Sequence, residues 1–101
     1  MIRIIWRFRA KPHKAEDFRR VYSWKGAWAR LFGRSAEYLG TLLLQDTADP
    51  LIFVVIDRWA TSESFTRFRQ QFGPDYEHLD RQCLGLTDEE TMIGVFNDEP
   101  A

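Results

Sequence analysis

Residues 57–96, DRWATSESFTRFRQQFGPDYEHLDRQCLGLTDEETMIGVF, read as the end of a strand, two helices and a second strand. The strand begins at 51: Ile52, Val54 and Ile56 alternate with Phe53, Val55 and Trp59, the period of two of extended chain, and it ends Asp57-Arg58-Trp59. Ala60-Thr61-Ser62 is a polar break. Phe65, Phe68 and Phe72 then recur at helical spacing, which predicts a helix over 62–72. Gly73-Pro74 separates it from a second helix over 75–83, with Tyr76, Leu79 and Cys83 on its apolar face. Leu86 to Glu90 is acidic and reads as a solvated connection to a last strand over 90–97.

The first half has the same plan. Residues 2–9 alternate strictly, with Ile2, Ile4, Trp6 and Phe8 on one face and Arg3, Ile5, Arg7 and Arg9 on the other. Pro12 cannot donate to a ladder and stops the strand. Ala15, Phe18, Val21 and Tyr22 mark a helix within 13–24; after Gly26, Trp28, Leu31 and Phe32 add one or two helical turns. Residues 38–45 are a second strand, and the turn cluster from Asp46 to Pro50 leads back to residue 51. The order β-α-β-β-α-β is that of a ferredoxin-like α+β domain, a four-stranded antiparallel sheet with helices on one face. At 101 residues it is one domain, 1–101.

The two central strands are apolar on both faces, although a sheet with one wet face alternates apolar with polar. Helices cover one face only, and no internal segment is spare for the other. The expected cover is a second copy of the same sheet, making a homodimer.

Composition narrows the function. Hydrophobic residues are 45% and aromatics 15% of the chain, more rings than one small core easily hides. The net charge of −1 gives no nucleic-acid footprint, despite the basic row Arg3, Arg7 and Arg9. No apolar run approaches the ~20 residues of a membrane span, and the alternating N-terminus is not a secretory signal. A single cysteine, Cys83, excludes an internal disulfide and fits a cytoplasmic protein. His13 and His78 are too far apart in sequence to suggest a metal set with it.

Several of these marks together resemble one family. They are the element order, Phe18 and Tyr22 in the first helix, Gly40-Thr41 in the second strand, Asp57-Arg58-Trp59 followed by Ser62, and the Phe65/Phe68/Phe72 ladder. The chain resembles the antibiotic biosynthesis monooxygenase domains of the dimeric α+β barrel superfamily, over Trp6 to Phe96. The resemblance implies a homodimer whose sheets pack into a barrel, and a pocket in each subunit between helices and sheet. The family's activities include cofactor-free oxidation of aromatic compounds, quinol oxidation and haem degradation. Haem-degrading relatives use an Asn on the first strand, a Trp in the second main helix and a His just after it. Here the only Asn is Asn97, Phe68 stands where the Trp would be, and His78 lies off its helix's apolar face. Haem breakdown is therefore not expected.

The pocket residues expected are Trp6, Trp28, Phe68 and Phe72 as substrate-binding walls, and Arg7, Tyr22 and Tyr76 as catalytic groups. Arg7 would hold a substrate phenolate or carboxylate. The two phenols would orient the substrate or donate to a developing oxyanion. Each has a plainer alternative: the Phe residues as core, the Tyr hydroxyls as satisfied buried donors, and Arg7 paired with Asp57 across neighbouring strands in a structural salt bridge. Cys83 reads as an inert core thiol. Two functions follow: a cofactor-independent monooxygenase acting on a small phenolic or quinol-type aromatic, or a non-catalytic small-molecule-binding or assembly module. No metal, nucleotide, flavin or haem motif is present.

Overall fold

A computed structural model describes residues 1–99; the last two residues of the expected 1–101 domain lie outside the described residues. The elements are β1 (Ile2–Ala10), α1 (Ala15–Tyr22), α2 (Ala27–Phe32), β2 (Tyr38–Gln45), β3 (Ile52–Trp59), α3 (Ser62–Gln71), α4 (Gly73–Cys83) and β4 (Thr87–Asn97). All strand pairs are antiparallel, in the order β2-β3-β1-β4. This is the ferredoxin-like β-α-β-β-α-β plan.

Local chemistry explains the boundaries. Glu16 and Asp17 open α1 and Arg19 and Arg20 close it, matching the helix dipole at both ends. Phe18 and Tyr22, four residues apart, are its buried pair. Gly26 turns the chain tightly into α2; a Cβ there would lie 2.2 Å from the Val21 carbonyl oxygen. The β2–β3 turn is held by Asp46, whose Oδ1 accepts from the Ala48 and Asp49 amides. Thr61 and Ser64 form a reciprocal capping box on α3. Pro74 sits in the first turn of α4, where a missing N–H costs nothing.

One boundary differs from the sequence expectation. The stretch Thr87 to Glu90 is not a solvated connection but the first part of β4: Thr87, Glu89 and Glu90 face Ala10, Arg9 and Phe8. Its acidic residues lie beside the basic row of β1. Glu89 sits 3.6 Å from Arg7 and 3.7 Å from Arg9, and Asp88 lies 3.9 Å from Lys11. Opposite charges across a ladder favour pairing where an isolated acidic run favours solvent.

Register fixes the two faces. Ile2, Ile4, Trp6 and Phe8 of β1 stand opposite Trp59, Asp57, Val55 and Phe53 of β3, and this is the face the helices cover. Thr41 and Leu43 of β2 join it opposite Asp57 and Val55. The other face carries Ile5, Arg7, Leu42, Leu44, Val54, Ile56 and Phe96 by the same alternation. Leu42, Leu44 and Phe96 there are 43–48% exposed although large and apolar. The core between sheet and helices is mainly aromatic, with Phe8, Phe18, Phe32, Phe53, Trp59 and Phe68 among its buried members.

Candidate functional site

A cavity of about 260 Å³ opens between the helices and the covered face of the sheet. Its position follows from helix placement. The short α2 brings Trp28 and Phe32 over the sheet, α4 brings Tyr76 beside them, and α1 brings Tyr22. Trp6, Phe8 and Val55 line it from β1 and β3. The rings form a connected wall: Phe8 and Tyr22 are 4.8 Å apart between centroids, Trp28 and Phe32 5.5 Å, and Trp28 meets Tyr76 edge-on at 5.0 Å. Such edge-on contacts set ring orientation as well as bury area.

Polar groups enter at two levels. Thr41 and Asp57 line the cavity from adjacent strands of the sheet, and both are buried. The Thr41 hydroxyl donates to Asp57 Oδ1 at 2.6 Å, and the Tyr38 hydroxyl bonds to the same Thr41 oxygen. Thr41 has one proton to give, so Tyr38 is the donor to it, and the chain runs Tyr38 to Thr41 to Asp57. At the exposed level stand Arg69, Asp80 and Glu90. The Arg69 guanidinium lies over the Tyr76 ring, 4.2 Å from its centroid, a cation–π contact.

Burial tunes these groups. Loss of solvent pushes the Asp57 carboxyl up to about 6, against the Thr41 hydrogen bond, which lowers it. Burial likewise raises the phenols of Tyr22, Tyr38 and Tyr76, with Arg69 pulling Tyr76 the other way. Tyr22 and Tyr76 are therefore hydrogen-bond donors at neutral pH. Burial, and then neighbouring Asp80, raise Glu90. The Trp28 indole N–H is buried and makes no hydrogen bond among the described residues.

The structure gathers Trp6, Tyr22, Trp28 and Tyr76 at this cavity and places three other expected site residues elsewhere. Arg7 is on the opposite face of the sheet, beside Glu89, because Trp6 and not Arg7 shares the parity of the core. The Arg7–Asp57 pair does not form: Arg7 stands opposite Val54, Asp57 opposite Ile4, and their side chains leave the sheet on opposite sides. Phe68 is core, packed against Phe32, Trp59 and Phe72 at 5.1–5.4 Å between centroids. Phe72 is half-buried beneath Arg34, outside the cavity lining. The α3 stripe fails to reach the cavity because it packs onto Trp59.

Sequence reading missed Asp57 and Thr41 as cavity groups. The signal was available in parity, since Asp57 shares one face of its strand with Phe53, Val55 and Trp59. A lone carboxylate on an apolar strand face is costly to bury and marks a site. Arg69, Asp80 and Glu90 carry no comparable signal. Among the described residues there is no cluster of three or more potential metal ligands. No described helix is long and apolar enough to cross a membrane.

Comparison with known proteins agrees with this architecture. A single-substitution mutant of SnoaB, a cofactor-independent oxygenase from Streptomyces nogalater, superposes with a TM-score of 0.79 at 20% identity, over 99% of this chain and 94% of that one. A Bordetella bronchiseptica protein assigned to the antibiotic biosynthesis monooxygenases gives 0.77 at 21% identity, over 98% and 97%. A Nitrosomonas europaea protein with the same assignment gives 0.73 at 16%, over 97% and 98%. At such identities the likeness shows a shared fold. No curated protein matches the chain. The antibiotic biosynthesis monooxygenase family model matches residues 1–78, from β1 into α4, and the chain belongs to that family.

Proposed function

We propose that this protein is a cofactor-independent monooxygenase that oxidises a small phenolic or quinol-type aromatic in the cavity beneath α2 and α4. The observation that carries this reading is the ring-walled cavity with a polar floor, which suits a flat, partly polar guest. Its ~260 Å³ fits up to three fused rings. Trp6 and Trp28 serve as walls, and Tyr22 and Tyr76 as donors to an oxygen on which charge develops. Phe68 acts from behind, packed against Phe32, and Phe72 backs Phe68. Family membership and the fold shared with an oxygenase support the reaction class.

The reaction consumes dioxygen. A ring carbon activated by the phenolic oxygen, a CH2 in the keto tautomer and in anthrones, loses a proton, the resulting anion passes one electron to O2, and the radical pair joins to a peroxide. Loss of water from the peroxide leaves a carbonyl, so that CH2 and O2 become C=O and H2O.

We also infer that a second copy covers the open sheet face. Leu42, Leu44 and Phe96 are large apolar side chains left exposed on that face, and Arg7 beside Glu89 would sit at the edge of that contact.

An oxygen electrode tests the activity against a panel of phenols, quinols and anthrones. Uptake of O2 by one class, slowed up to ~100-fold by Tyr22→Phe or Tyr76→Phe, is the expected result. No uptake with any compound, while the same compounds raise the melting temperature, makes the protein a binding module instead.

A further inference from the structure

We propose that Asp57 is the group that takes the substrate's proton, and that Thr41 and Tyr38 are positioning residues that aim its carboxylate. The proposal deepens the monooxygenase reading and rests on it for the identity of the substrate. It replaces an expectation built on Arg7, which would have stabilised an already ionised phenolate from a face of the sheet that the cavity does not reach.

The geometry supplies the reasons. Asp57 is the one buried carboxylate lining the cavity; Asp80 and Glu90, the other two, are at its exposed level. One of its oxygens is occupied by Thr41 at 2.6 Å, and the Tyr38–Thr41 chain fixes the rotamer from the side of β2. No second hydrogen bond to Asp57 from a described side chain is present, so its other oxygen is available to a ligand. A general base needs a defined direction and a proton affinity matched to working pH. The Thr41 bond gives the first. Burial gives the second, with the carboxyl pushed up to about 6.

The charged and titratable neighbours are Tyr38 on β2, Tyr22 on α1, Arg69 on α3, Tyr76 and Asp80 on α4, and Glu90 on β4, while β1 and α2 line the cavity with Trp and Phe alone. Burial holds the three phenols neutral. Arg69, Asp80 and Glu90 are exposed and screened. Asp57 is left as the buried base.

The proton balance closes. Asp57 takes a proton from the substrate CH2 or its enol OH and becomes a neutral acid. The carbanion and O2 give the peroxide anion described above. Asp57 then returns the proton to that anion, and the hydroperoxide loses water to leave the carbonyl. Asp57 ends ionised, ready for the next molecule. The substrate therefore enters neutral, which selects weakly acidic phenols, quinols and anthrones over compounds already anionic in solution.

Two measurements test this. The first follows kcat/KM against pH for two substrates of different acidity. One midpoint, near 6, shared by both substrates and abolished in Asp57→Asn with a 10²–10⁴-fold loss of rate, is expected. A midpoint that follows the acidity of each substrate overturns the proposal. Thr41→Val, which removes the donor, should move the midpoint up, and Thr41→Ser, which restores it, should bring it back. Equal midpoints in all three proteins overturn the positioning role. The second needs no turnover. In protein labelled with ¹³C at Asp carboxyls, the Asp57 signal, identified by its absence in Asp57→Asn, should titrate near 6 and move on adding 2-naphthol. A signal in the ordinary carboxylate range, or one indifferent to 2-naphthol, overturns the assignment. If no phenol is oxidised at all, the monooxygenase reading fails, and this carboxyl titration still decides whether Asp57 meets the ligand.

Discussion

Thr41 on β2 and Asp57 on β3 stand directly opposite one another, and the threonine hydroxyl donates to the carboxylate at 2.6 Å on the floor of a largely aromatic chamber. A carboxylate so placed has lost most of its hydration and kept one strong hydrogen bond. That imbalance links stability and chemistry in this protein.

The linkage has a definite sign. The Asp57 carboxyl has a higher proton affinity folded, about 6, than unfolded, about 3.9. Its protonation therefore stabilises the fold fully below about pH 4, and this contribution disappears as pH rises through about 6. Relative to Asp57→Asn, the protein should lose about 2 kcal/mol between pH 4.5 and pH 7.5, out of about 3 kcal/mol over the whole titration. Urea unfolding of both proteins at pH 4.5 and 7.5 measures it. A difference independent of pH contradicts the burial of this group.

In dilute solution the protein should be a homodimer, with a total interface above ~1,600 Å² built on the open sheet face. Leu44→Glu places a charge among Leu42, Val54 and Ile56 and should yield folded monomers. Light scattering on both proteins reads this directly. Monomeric wild-type protein at micromolar concentration refutes the inferred cover.

Phe68 and Phe72 should separate in stability. Phe68 is 2% exposed and surrounded by rings, so Phe68→Ala should cost roughly 3–5 kcal/mol. Half-buried Phe72 should cost clearly less. Chemical denaturation distinguishes them, and equal losses would mean that Phe72 is as much a part of the core as Phe68.

Haem should not be degraded. Phe68 is buried in the core, and His78 is exposed on α4 and absent from the cavity lining. Added haem with a reductant should keep its Soret band. Conversion to a ring-opened product, abolished by His78→Ala, would refute this.

Periodicity and punctuation made the element order legible, because each depends on residues close in sequence. The strict alternation of residues 2–9, the stops at Pro12 and Gly73-Pro74, and the apolar faces of residues 52–56 act over one or two turns of chain. Nearest neighbours determine them, so the sequence alone carried the fold and the unusual richness in rings. The start of β4 escaped because the acidic run from Asp88 to Glu90 depends on Arg7, Arg9 and Lys11, about 80 residues earlier. The site escaped for the same reason. Alternation says that Trp6 and Arg7 point to opposite sides, and only the packed helices decide which side becomes the cavity. It says that Asp57 shares a face with Val55 and Trp59, and only the register with β2 supplies Thr41 to hold it. Local sequence determined which residues share a face. Tertiary packing decided which face is dry, and a carboxylate acquires a raised proton affinity only on the dry one.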